Sequence, residues 1–393
     1  MDWLSKRAQK PWQVGLWAFF LTLPVWSSLL GRLTKGKWWF NDFDALICGA
    51  DHLRRGLSPY SLEPVCEGLK PAPYVYAPQV GKALVPLIEM FGLGGLKAGY
   101  AVVLIALIAF TFWFALIKKW PGVPLIWRVL GFGLLTGSSI ASGNIGLFFH
   151  ALLLIAALNI KRSIWPFLAL VLIGAVIKPF LLTYLIVPML LDRPLWQRLA
   201  ISVPAAIAGI AVVGLTFATA GPLSVEWHAL MSSVVVNEQT GMSWFGWMDA
   251  LGITTTSPLS FIGLLVILIA LSLAGIVIAE LSEASDLERT VMGVTLAILL
   301  SPRVMDYDLL IVPLGMALLV MASQRLSSRA FTLTSRFYVG TSLLWLILRM
   351  ADIEGVSPDK FATLSYVLFW FLLAVIWMRT DKTKIRGILN TAN

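Results

Sequence analysis

The sequence predicts an all-α polytopic membrane protein, a bundle of about twelve transmembrane helices forming one integral-membrane domain over residues 1–393. Three observations lead there. The chain is 58% hydrophobic and only 13% charged, whereas a soluble domain of this size carries roughly a quarter charged residues. Apolar runs of about 20 residues, each enough for a hydrocarbon core of roughly 30 Å, recur from Trp12 to Trp377. A β-barrel would show alternating segments of about ten residues, and the sequence has none.

Taken in order, the runs place spans at 12–31, 98–117, 125–141, 143–158, 163–177, 179–191, 199–219, 258–279, 290–303, 308–322, 337–351 and 361–378. The first run follows "MDWLSKRAQK" and lacks a small-residue cleavage site, so it reads as a retained helix rather than a signal peptide. Segment 77–95, "APQVGKALVPLIEMFGLGG", is apolar but holds Lys82, Glu89 and two prolines, and is assigned as a re-entrant or interfacial helix. No linker, low-complexity stretch or internal repeat is evident.

With these spans, more than half of the 30 Lys and Arg fall in the N-terminus, the loops 118–128, 159–163, 192–198, 280–289 and 323–336, and the tail. Most of the 21 Asp and Glu lie elsewhere. Cytoplasmic loops collect Lys and Arg, so both termini are expected in the cytoplasm. The net charge of +9 then reflects topology, and nucleic acid is not an expected partner. Two large regions, 32–76 and 220–257, fall outside, and the chemistry is expected on that face. Cys48 and Cys66 both lie there, where an oxidising compartment permits a disulfide; their spacing alone leaves pairing open.

The first external loop contains "FNDFDALICGADHLRRGLSPY", residues 40–60, with Asp42, Asp44 and Asp51 within ten residues. Asp suits N-caps and first helical turns, so a solvated helix start is one reading. A general base at the membrane surface is the other. Polar residues recur at the outer ends of spans. Asn144 in "ASGNIGLF" marks a tight turn. Lys178 stands beside Pro179 in "GAVIKPF", where a long apolar stretch breaks. Arg303, Asp306 and Asp308 share "LLSPRVMDYDLL", and Arg349 and Asp352 end a later span. Charges at membrane depth are costly and mark function by default, although Arg349 is also placed to snorkel to the interface. An irregular break such as Lys178–Pro179 occurs at membrane depth only where it is buried in protein or lines a cavity. The lysine there suits an anionic headgroup. His52, His150 and His228 are scattered, and neither a zinc-type HExxH nor a phosphate-binding glycine loop is present. The tryptophans of "SWFGWMD" fit interfacial packing better than sugar stacking.

The order of these elements resembles a known family. An Asp-Phe start at Asp42 stands eighteen residues before Tyr60, followed by "YAPQ" at Tyr76, "GNIGLF", "GAVIKPF" and "SPRVMDYD". This is similar to glycosyltransferase family 87, the integral-membrane mannosyltransferases of the GT-C superfamily, over about residues 38–312. Departures are Ala77 where the family often has Pro, a missing second amide after Asn144, and Tyr307 and Asp308 where it commonly has His-His. The resemblance implies a GT-C type bundle with short external helices, a polyprenyl-phosphate mannose donor, and inverting transfer to a glycolipid or polysaccharide acceptor. It also implies a bacterial plasma membrane with the site on the periplasmic side. By position, Asp42 matches the family's catalytic Asp. Lys178 and Arg303 are the expected donors to the leaving phosphate. Asp44, Tyr60, Tyr76, Asn144, Asp306, Tyr307 and Asp308 are further candidates for substrate binding, and Asp51 reads as a solvated helix residue. A single phosphate requires no divalent metal, and no cofactor is expected; Asp306 and Asp308 are the residues that would hold one. A secondary transporter is the competing reading, but it predicts repeats and midplane charges. A non-catalytic polysaccharide-assembly protein leaves the placements of Asp42 and Lys178 unexplained.

Overall fold

The computed structural model describes residues 11–120, 122–131, 140–351 and 358–380, and it is helical with no strand among them. Five helical stretches are long and apolar enough to cross a membrane: Pro78–Ile117, Leu195–Ala218, Pro258–Leu281, Asp306–Leu326 and Ser328–Leu348. A sixth candidate is the pair α1 (Pro11–Leu21) and α2 (Leu23–Thr34), bent by 62° where Pro24 opens the second helix. Four further apolar helices fall at expected spans, but at 10–17 residues they rise only about 15–26 Å, less than a bilayer core. The span expected at 125–141 falls partly, and Asp352 wholly, outside the described residues, as does the side chain of Arg349.

The helices that matter for the site are α3 (Asn41–Arg54), α4 (Pro78–Phe112), α5 (Ile145–Leu158), α6 (Trp165–Ile177), α7 (Leu195–Ala218), α8 (Trp244–Ala250), α9 (Pro258–Leu281), α10 (Asp286–Leu299) and α11 (Val312–Leu326). From Arg289 on, α10 is buried along its whole length, and α11 is nearly so; together they form the centre. By contrast, α7 and α9 turn Ile207, Ile210, Leu265 and Ile269 outward. An apolar outer surface of this kind is what lipid contact requires.

The loops sort to two ends of the bundle. At one end, Arg198 at the start of α7 pairs with Glu280 at the end of α9 at 2.6 Å, and Arg289 reaches the same carboxylate at 3.3 Å. Lys161 pairs with Asp286, and Arg325 with Glu288. Loops 159–163, 192–198, 280–289 and the end of α11 therefore meet, the acids of 280–289 pairing with Lys and Arg of the others. At the other end the two large loops meet: Ser58 hydrogen-bonds Glu226, and the Trp227 indole donates to the Val75 carbonyl at 3.1 Å.

Segment 77–95 is helical and runs into α4, but the helix breaks at Gly92 (φ 65°, ψ 169°), a backbone state that essentially only glycine adopts. Both ends of the segment sit at the loop-rich end. Gln79 donates to the Thr216 carbonyl and the Thr219 hydroxyl at the end of α7, and Lys97 pairs with Asp44 of α3. The part before Gly92 thus has contacts near both of its ends at the loop-rich end of the bundle, and the helix continues beyond Gly92 to Phe112.

Cys48 on α3 is bonded to Cys66. The bridge fastens the loop that carries Tyr60 and Tyr76 to the helix that carries Asp42.

Candidate functional site

A cavity of about 750 Å³ opens at the loop-rich end. Its polar wall comes from four groups of residues, the second of them joining the start of α5 to the end of α6. Asp42 stands in the first turn of α3, entered through Phe40 in the left-handed region (φ 59°). That entry is pinned from across the bundle: the Phe40 amide donates to the Ala141 carbonyl and the Asp42 amide to that of Ser142, each at 2.9 Å. Three donors orient the Asp42 carboxylate. Asn41 Nδ2 lies 2.9 Å from Oδ1, while Ser142 Oγ (3.0 Å) and Asn144 Nδ2 (2.8 Å) both reach Oδ2.

Asn144 is the N-cap of α5. Its Oδ1 accepts from the Gly146 amide at 2.8 Å, the usual capping contact, and also from Lys178 Nζ at 2.6 Å. One side chain thereby links the carboxylate of Asp42 to the ammonium of Lys178. Lys178 ends α6 in extended geometry because Pro179 cannot continue the helix; its ammonium also lies over the Tyr307 ring, 5.3 Å from the centroid. Gly146 makes room for it: a Cβ there would meet Lys178 Nζ at 2.6 Å.

The third group is the turn 301–308. Arg303 donates through Nε to the Gln239 backbone carbonyl at 2.6 Å and through Nη2 to its side chain at 3.3 Å, joining this turn to the second large loop. Asp306 accepts from the Tyr307 amide at 3.0 Å. Asp308 accepts from the Met305 amide at 2.8 Å through one oxygen and lies 2.9 Å from His150 Nε2 through the other. The fourth group is the end of the first large loop, where Tyr76 lines the cavity. Burial, reinforced by Asp42, pushes the Tyr76 phenol well above its ordinary range, so it remains a hydroxyl donor. The rest of the wall is apolar: Phe180, Val213, Phe217, Met231, Val234 and Phe245.

Eight of the ten residues singled out in the sequence therefore share one cavity: Asp42, Tyr76, Asn144, Lys178, Arg303, Asp306, Tyr307 and Asp308. Two do not. Asp44 is fully buried, pairs with Lys97 at 2.7 Å and accepts from the Lys70 amide at 3.2 Å. It is a buried, paired ion, neither solvated nor lining the cavity, because two residues along a helix turn roughly 200° and carry it away from Asp42. Tyr60 supports the site from behind, donating to the Tyr76 carbonyl at 3.0 Å. Asp51, expected to be solvated, is fully buried and paired with Arg54 at 2.7 Å and Arg55 at 2.5 Å. Trp244 and Trp247 pack on each other edge-on, and it is Phe245 between them that faces the cavity.

Sequence reasoning missed Arg32, Asn41, Ser142 and His150, all of which line the cavity. For His150 a signal existed: it follows Gly146 by one helical turn, so the two share a face of α5. Among the described residues, the grouping of side chains able to hold a metal is Cys48, His52 and Cys66, whose two sulfurs are joined to each other. Compared with protein-family models and with curated proteins, the chain has no match in either.

Proposed function

We propose that the protein is a membrane glycosyltransferase that moves a sugar, mannose by its resemblance, from a polyprenyl-phosphate donor to an acceptor hydroxyl, with inversion. The observation that carries this reading is the Asp42–Asn144–Lys178 link on the wall of a cavity that is polar on one side and apolar on the other. Its volume, about 750 Å³, is in the range of small-ligand sites.

The proposed chemistry uses these side chains. The acceptor oxygen attacks C1 of the sugar while its proton passes to the Asp42 carboxylate. The bond from C1 to the phosphate oxygen breaks with its electron pair going to phosphate. The polyprenyl phosphate that leaves carries more negative charge, and this reading assigns Lys178 and Arg303 to hold it. The apolar wall suits an isoprenoid chain. Asn144 keeps base and ammonium in register, which matters because small misplacements of reacting groups cost large factors in rate. The same reading assigns a GT-C type bundle in the bacterial plasma membrane. The cavity then faces the periplasm and the ion-paired basic end the cytoplasm, with a glycolipid or polysaccharide as acceptor.

The test is the purified full chain incubated with radiolabelled polyprenyl-phosphate mannose and a panel of lipid and polysaccharide extracts. Label is expected to move to a new product in an Asp42-dependent manner. No transfer from any polyprenyl-phosphate sugar would refute the reading.

A further inference from the structure

His150 is a cavity residue with no part in the chemistry above, and both its ring nitrogens are engaged. Nε2 lies 2.9 Å from Asp308 Oδ1, and Nδ1 lies 2.7 Å from the Tyr184 hydroxyl. An ionised carboxylate only accepts, so Nε2 carries the proton; Tyr184 either donates to Nδ1 or accepts from it. The carboxylate of Asp308 is thus held on both oxygens, by His150 and by the Met305 amide.

What this arrangement does is seen at Gly146. A Cβ built on that glycine would lie 2.6 Å from Lys178 Nζ and 3.3 Å from Asp308 Oδ1. Ammonium and carboxylate therefore flank the same Cα. Yet Asp308 takes its side-chain hydrogen bond from His150, while Lys178 hydrogen-bonds the Asn144 side chain. An unengaged carboxylate this near would draw the ammonium into a direct pair, and a lysine so paired is poorly placed to receive a phosphate.

We propose that His150 is a positioning residue of this site: by taking Asp308 as its own partner it keeps that carboxylate from capturing Lys178, so the ammonium stays turned toward Asn144 and the cavity. The proposal deepens the transferase reading and rests on it for its purpose. The geometry itself is testable without any substrate.

The experiment measures the rate at which a limiting amine-reactive reagent modifies Lys178 in the purified full chain, by mass spectrometry. In His150→Phe the freed Asp308 pairs with Lys178. One unit of upward shift in the lysine's pKa lowers the reactive free-amine fraction about tenfold, so modification is expected to slow by about that factor. His150→Gln, which still offers an N–H to Asp308, should keep the parent rate. His150→Phe combined with Asp308→Asn should recover it, because the competing charge is gone. Where His150→Phe does not fold, His150→Leu carries the same expectation. Parent-like modification in the folded apolar variant overturns the proposal, and so does a slow rate that survives Asp308→Asn. Binding of polyprenyl-phosphate mannose, measured on the same proteins, should weaken in His150→Phe and recover in the double variant. If the parent protein does not bind that donor at all, the transferase reading fails while the labelling result still decides the role of His150.

Discussion

Replacing Asp42 with asparagine preserves shape and removes the capacity to accept a proton. The carboxylate receives one hydrogen bond on Oδ1, from Asn41, and two on Oδ2, from Ser142 and Asn144. An amide in its place must turn its NH₂ toward one of these sides. Turned toward Asn41, it loses a single contact and keeps the Asn144 bond, so Asn144 continues to hold Lys178. The cost to stability is then one hydrogen bond to a half-buried group, about 1–2 kcal/mol. The cost to chemistry is larger. Loss of a general base lowers rate by about 10²–10⁴, or about 3–5 kcal/mol of barrier. The assay is single-turnover sugar transfer at saturating donor, alongside donor affinity and thermal unfolding of the variant. Transfer is expected to fall by at least a hundredfold, with donor affinity within a few-fold of the parent and a modestly lowered Tm. A folded Asp42→Asn protein that transfers sugar at near the parent rate would show that the base is another group, and Asp306 or Asp308 would be tested next.

Asp44→Asn should behave in the opposite way. It strands Lys97 beside a buried position and is expected to cost about 3–5 kcal/mol of stability, read by thermal unfolding, while the surviving folded fraction transfers at the parent rate. In Gly146→Ala the new methyl group meets the lysine ammonium, the far end of a flexible chain; folding should be retained and donor affinity should drop at least tenfold, by titration with donor. Removing the Cys48–Cys66 bridge frees a segment 18 residues long; Cys48→Ala with Cys66→Ala should lose about 2–4 kcal/mol and show faster amide exchange across residues 57–76. In a cysteine-free background, an impermeant thiol reagent added from outside should label Thr256→Cys and not Ser328→Cys, both exposed positions at opposite ends; the reverse pattern would invert the assigned orientation.

The sequence by itself determined the parts of this protein that depend on short stretches. Apolar runs dictate the helices, because in lipid the backbone must satisfy its own hydrogen bonds. The start of α3 near Asp42, the turn at Asn144 and the Lys178–Pro179 break were legible for the same reason: helix starts, prolines and glycines act on their immediate neighbours. Even the grouping of loops 159–163, 192–198 and 280–289 at one end was legible, since span order and the overall Lys and Arg asymmetry predict it. Tertiary structure alone decided which face each helix presents. Asp42 and Asp44 are alike in sequence, and only the packing of α3 against α4 sends one to the cavity and the other to Lys97. Asp51 looked like a surface residue until two following arginines closed over it in a buried turn. The pairing of Cys48 with Cys66 required the loop to fold back on α3. His150 sits in an apolar helix 158 residues from Asp308, and no local pattern joins them. Their contact exists because α5 and the 301–308 turn are brought together by the whole bundle, through hydrophobic burial, which acts without regard to separation along the chain.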